Sequence, residues 1–129
     1  MNELFLLGRV LFGGFFIYNA VQHLTKIGSL AGYAASRGVP MPKAAVIVSG
    51  LLLLAGGLGV LFGRYVDFAI VALVLFLVPV TLQMHSFWKD TDPNVKMSNQ
   101  INFMKNLALT GGALTLAGVP QPWVYALPL

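Results

Sequence analysis

The sequence predicts an all-α protein, an integral membrane four-helix up-down bundle with a short interfacial helix between spans one and two. Three observations predict it. Only 9% of residues are charged and 57% are hydrophobic, whereas soluble domains carry about a quarter charged residues. Stretches 44–63, 68–88 and 106–129 contain no Asp, Glu, Lys or Arg. The apolar runs have lengths near the ~20 residues that carry a helix across a ~30 Å hydrocarbon core. Lipid demands an apolar exterior and internally paired backbone, which suits so poorly charged a chain. At 129 residues it forms a single transmembrane domain, 1–129.

The first span covers residues 4–24. Glu3 stands where the basic region of a removable signal peptide would lie, and Arg9 interrupts the apolar run, so this segment is expected to stay as a span. Ser29 to Gly38 has a cap-type serine, a basic last turn and a glycine stop, which predicts the short interfacial helix. Gly38-Val39-Pro40-Met41-Pro42 then turns the chain, and Pro42 suits the first position of the second span, 43–63. Gly59 and Gly63 in that span have GxxxG spacing, read here as packing between helices of one chain. The third span, 67–88, contains Pro79, which should kink it. After a polar connection with the turn signal Asp92-Pro93-Asn94, the fourth span runs over 101–118. Trp88, Trp123 and Tyr125 fit interfacial belts.

Lys26, Arg37, Lys43, Lys89 and Lys96 flank the first and third connections, and Arg64 alone marks the second. This bias places connections one and three in the cytoplasm and both termini outside. The net charge of +4 comes from scattered residues and indicates no nucleic-acid surface. With no cysteine, the chain has no disulfide, thiolate nucleophile, iron–sulfur cluster or covalently attached haem.

In the first span Arg9, Phe12, Phe16, Asn19 and His23 share one helical face, and a lipid-facing stripe would not contain Arg, Asn and His. The third span offers Thr81, His85 and Trp88, and the fourth offers Asn102, Lys105 and Asn106. In an up-down bundle the end of span one, the end of span three and the start of span four meet at one membrane face. Ionisable groups in a span cost about 2.5–3.5 kcal/mol each on insertion scales, so a cluster of them points to a site. Each residue also has a plain structural role open to it: Arg9 can reach the headgroups, Trp88 can sit in a belt, and the asparagines can join helices.

Gly8-Arg9, Gly38-Val39-Pro40, Thr81 with His85-Ser86-Phe87-Trp88, and Phe103-Met104-Lys105-Asn106-Leu107-Ala108 occur in this order on the four spans. In these pieces the sequence resembles the DoxX family of small bacterial and archaeal four-helix membrane proteins, many of which carry an acidic residue at the position of Ser86. The resemblance implies a multi-pass protein of the bacterial or archaeal cell (inner) membrane with a link to redox metabolism. The founding member of that family resembles the small subunit of a thiosulfate:quinone oxidoreductase.

Two functions fit these residues. One is a quinone-interacting subunit or small oxidoreductase component, with His85 and His23 exchanging protons and Arg9, Asn19, Trp88, Asn102, Lys105 and Asn106 binding the ring. Its partners are the lipid bilayer, a membrane quinone and a soluble or membrane redox subunit. The alternative is a non-catalytic accessory or assembly protein that docks a partner subunit. A b-type haem between His23 and His85 is disfavoured, since two histidines commonly coincide, and no metal site is expected because the neighbours are amides and a lysine. Whether this chain does chemistry by itself is left open by its residues.

Overall fold

In lipid an unpaired backbone amide or carbonyl costs several kcal/mol, and the chain meets that demand with helix along most of its length. The computed structural model describes residues 1–128. It contains α1 (Asn2–Thr25), α2 (Ile27–Ser36), α3 (Pro42–Phe62), α4 (Val66–Met84), a 3₁₀ turn (Phe87–Lys89) and α5 (Pro93–Ala117). No strand occurs among the described residues. Segments Asn2–Thr25, Pro42–Phe62 and Val66–Lys89 are long and apolar enough to cross a membrane. Helix α5 is also long, but its first half, with Asn94, Lys96, Asn99, Gln100 and Asn102, is too polar to join them by composition.

Glycine sets the closest helix contact. A Cβ on Gly13 would lie 2.8 Å from the Gly57 carbonyl oxygen, and one on Gly57 would lie 2.9 Å from that of Gly13. Backbone meets backbone there, so α1 and α3 approach at a distance that only glycine permits. The pair is antiparallel: Arg9 meets Val60 and Leu61, and His23 meets Val46. Helix α4 then packs on α3 through Gly56 against Leu73 and Gly59 against Ala69. Gly59 and Gly63 therefore serve contacts within the chain, and Gly63 closes α3 in the left-handed region at φ 66°.

Helix α5 packs on α4, and α2 packs on α3. Helices α1 and α5 meet through side chains, with Phe12 over Gly112 and the Lys105 ammonium 5.8 Å from the Phe15 ring centroid. Phe16, Leu53, Val60, Leu73, Leu77 and Ala113 form the core. Leu4, Leu11, Leu51, Val71 and Leu75 point outward, an apolar exterior that water would not favour.

Three expectations need correction. Helix α4 ends at Met84 rather than at Trp88, because Arg37 of α2 donates to the Ser86 hydroxyl and carbonyl and to the Asp90 carboxylate. Those contacts hold residues 85–90 outside the helix, so Thr81, His85 and Trp88 do not form one stripe. Helix α5 begins at Pro93, well before residue 101, because Asp92 caps it through Asn94 N at 2.8 Å and Pro93 suits its first turn. Trp123 is buried edge-to-face against Phe5 and is no belt residue.

Candidate functional site

The polar residues of the first span separate into two places. Arg9 is 1% exposed near the N-terminal end of α1. Its Nε donates to the Val60 carbonyl at 3.1 Å, Nη2 to the Leu61 carbonyl at 2.8 Å and Nη1 to the Val124 carbonyl. The first two carbonyls belong to the last turn of α3, where helical partners run out. Phe5 and Trp123 sit within 5.8 and 5.6 Å of the guanidinium. Each of the three guanidinium nitrogens of Arg9 is thus engaged by the fold, and the residue lies outside the cavity described next.

At the opposite end a cavity of about 590 Å³ opens among α1, α3, α4 and α5, with α2 and Val39-Pro40 above it. Its polar lining comes from Asn19 and His23 of α1, Ser49 of α3, Gln83 and His85 at the end of α4, Lys105 and Asn106 of α5, and Tyr33 of α2. Phe15, Phe16, Leu53, Phe76, Leu77 and Pro79 give it an apolar wall. This is the volume and mixture expected of a small-molecule site. Of the eight sequence-predicted site residues, His23, His85, Asn19, Lys105 and Asn106 come together here. Trp88 does not: it is 52% exposed and stacks edge-on against Phe103. Asn102 also lies outside the lining and accepts a hydrogen bond from Lys105 Nζ at 3.4 Å.

Asn106 is the unusual member. It is 6% exposed, and its carboxamide makes no hydrogen bond to any described residue. Its amide atoms are open to the cavity rather than sealed from it. Asn19, Ser49, Gln83 and His23 are held by the protein. Asn19 Nδ2 donates to the Phe15 carbonyl at 2.8 Å, Ser49 Oγ to the Ala45 carbonyl at 2.6 Å and Gln83 Nε2 to the Arg37 carbonyl at 2.7 Å. His23 Nδ1 lies 3.4 Å from the Val46 carbonyl, and its ring stands edge-on to Phe76.

His85 belongs to a network that the sequence did not reveal. Its Nδ1 lies 3.2 Å from Asn99 Oδ1, Asn99 Nδ2 donates to Asp90 Oδ2 at 2.8 Å, and Arg37 Nη1 donates to Asp90 Oδ1 at 2.7 Å. The Asn99 amide and then the Arg37 guanidinium hold the Asp90 carboxyl below the usual carboxylate range. The network ties α2, the segment after α4 and the start of α5 together behind the histidine. One sequence signal could have exposed it: the Asp92-Pro93 cap starts α5 early enough to place Asn99 and Asn106, seven residues apart, on one helical face. Among the described residues no group of three or more His, Cys, Asp or Glu side chains could hold a metal ion.

Similarity to known proteins accords with this architecture. Inner membrane protein YphA of Escherichia coli (strain K12) is 26% identical over 114 residues, which cover 88% of this chain and 81% of that one. No solved structure matches the chain. The family model described as DoxX matches residues 4–86, from the first helix to the serine beside His85, and the chain belongs to the DoxX family.

Proposed function

We propose that this protein is an inner-membrane component of redox metabolism that crosses the bilayer four times, α5 being the fourth span, and binds a quinone in the cavity. The observation that carries the reading is Asn106, a carboxamide with no protein partner that opens on the cavity, which two histidines also line among apolar walls. A quinone ring needs hydrogen-bonding groups for two oxygens, a proton-exchanging neighbour and access from lipid. Asn106, Asn19 and Lys105 supply the first, His85 and His23 the second, and the loosely joined α1–α5 side the third. Phe15 and Phe76 take the packing role that the sequence assigned to Trp88. The name of the similar Escherichia coli protein supports the inner membrane, and the excess of Lys and Arg at the cavity end supports a cytoplasmic position for that end.

The test is native purification in mild detergent, with mass spectrometry of co-purifying lipids, quinones and proteins. A quinone is expected at near one per chain, and the His85→Ala and Lys105→Ala variants should lose it while keeping their unfolding midpoint. Its consistent absence overturns the reading. A second reading, a non-catalytic assembly protein, draws on the Arg37–Asp90–Asn99 network, which joins helices, and on the exposed Trp88 at the same end. Under it a stable protein partner co-purifies without quinone, and His85→Ala weakens that complex or the fold.

A further inference from the structure

We infer that the two histidines present hydrogen-bond acceptors to the cavity, which therefore takes the reduced, hydroxyl-bearing form of its quinone in preference to the dicarbonyl form. This rests on the quinone-binding reading above and specifies the ligand further. The inference comes from following each polar hydrogen. Asp90, ion-paired with Arg37, is a carboxylate and only accepts, so the Asn99 group facing it is the NH₂. Asn99 therefore turns its oxygen to His85, and His85 Nδ1 carries the hydrogen of the neutral ring. The Val46 carbonyl likewise only accepts, which puts the hydrogen of His23 on Nδ1 as well. In both neutral rings Nε2 is then a lone pair, and neither Nε2 meets a described residue.

The hydroxyl hydrogen of Ser49 goes to the Ala45 carbonyl, leaving oxygen lone pairs. Asn19 and Gln83 each commit one amide hydrogen to a backbone carbonyl and keep a second hydrogen and an unbonded oxygen, and Asn106 likewise offers both kinds of group. These amides can serve either form of the ring, so the choice falls to the two imidazoles, which turn only lone pairs to a ligand. A quinone carbonyl facing a histidine lone pair has no bond to make, whereas a hydroquinone hydroxyl donates to it, and mismatched buried polar groups discriminate strongly.

The test uses the full chain in lipid nanodiscs under anaerobic conditions, titrated calorimetrically with a decyl-substituted benzoquinone and with its hydroquinone. The hydroquinone is expected to bind at least about tenfold more tightly. His85→Leu should bring the two affinities close to parity. In ¹⁵N-histidine-labelled wild-type protein, both rings should show the unprotonated nitrogen at ε2. Equal or tighter binding of the benzoquinone, or a hydrogen on Nε2 of both rings, overturns this inference and leaves the quinone site standing. Binding of neither compound overturns both.

Discussion

The two ends of the bundle bury polar side chains from the same face of α1, and they use them in opposite ways. At one end Arg9 is surrounded by backbone acceptors, the Val60 and Leu61 carbonyls at the end of α3 and that of Val124, and the space is filled by Phe5 and Trp123. At the other end His23, His85 and Asn106 border open space, and Asn106 has no protein partner at all. Both ends gather polar side chains, and they differ in how far the protein satisfies them. The difference teaches that a polar residue in a span marks a binding site only where its hydrogen-bonding capacity exceeds what the surrounding helices supply.

The strongest way to break the comparison is to remove the saturated group. Arg9→Met should strand the Leu61 and Val124 carbonyls, leave that of Val60 with the Gly63 amide alone, and lower stability by roughly 3 kcal/mol or more, since bonds to charged groups contribute about 1.5–3 kcal/mol each. Reversible unfolding in mixed detergent measures this, and a loss under about 1 kcal/mol would show that the guanidinium is dispensable. Next in size is Gly57→Ala at the junction between the two ends. Its Cβ would meet the Gly13 carbonyl at 2.9 Å and Ile17 at 2.8 Å, and overpacking of this kind costs about 1–3 kcal/mol. The same unfolding assay should show both helices separating, with quinone retention falling in parallel.

Asn106→Leu should leave stability about unchanged, unlike Arg9→Met. It takes away an amide that no protein group holds and that opens on the cavity, while ligand retention drops about tenfold. A large loss of stability instead would make Asn106 a structural residue like Arg9. The smallest effect sharpens the comparison through pH. The native Asp90 carboxyl lies below its ordinary range, so its contribution is complete above about pH 4 and is lost as pH falls through the lower native value. The unfolding midpoint should therefore fall between about pH 5 and pH 2, and Asp90→Asn should flatten that slope. The Arg9 end should add nothing to it, because a guanidinium keeps its charge throughout.

The first two spans were legible from apolar length, the end of α4 and the start of α5 were not, and the meeting of His23, His85, Lys105 and Asn106 followed from counting alternating spans. Arg9 was misplaced for a physical reason. A helical stripe fixes azimuth but not depth, so residues 9 and 23 read alike although they lie at opposite ends. Asp90 and Asn99 escaped notice because they fall in what reads as a polar connection, and only the Arg37 contact folds that connection back onto the histidine. The DoxX match stops at residue 86, so the α5 wall of the cavity lies beyond the part of the chain it covers. Hydrogen ownership on the imidazoles was beyond sequence reasoning altogether, since it depends on which atom of Asn99 faces which neighbour.

Arg9 also has a bearing on how the chain assembles. Its guanidinium enters the bilayer on α1 while its acceptors on α3 are still unsynthesised, and the one at Val124 follows 115 positions later. During synthesis that charge has to be sheltered by headgroups, water or the insertion machinery until the later segments arrive. The same residue that stitches the finished protein together is thus a temporary liability at its birth, and the waiting period sets a natural order in which α1 docks on α3 before the C-terminal segment closes over both.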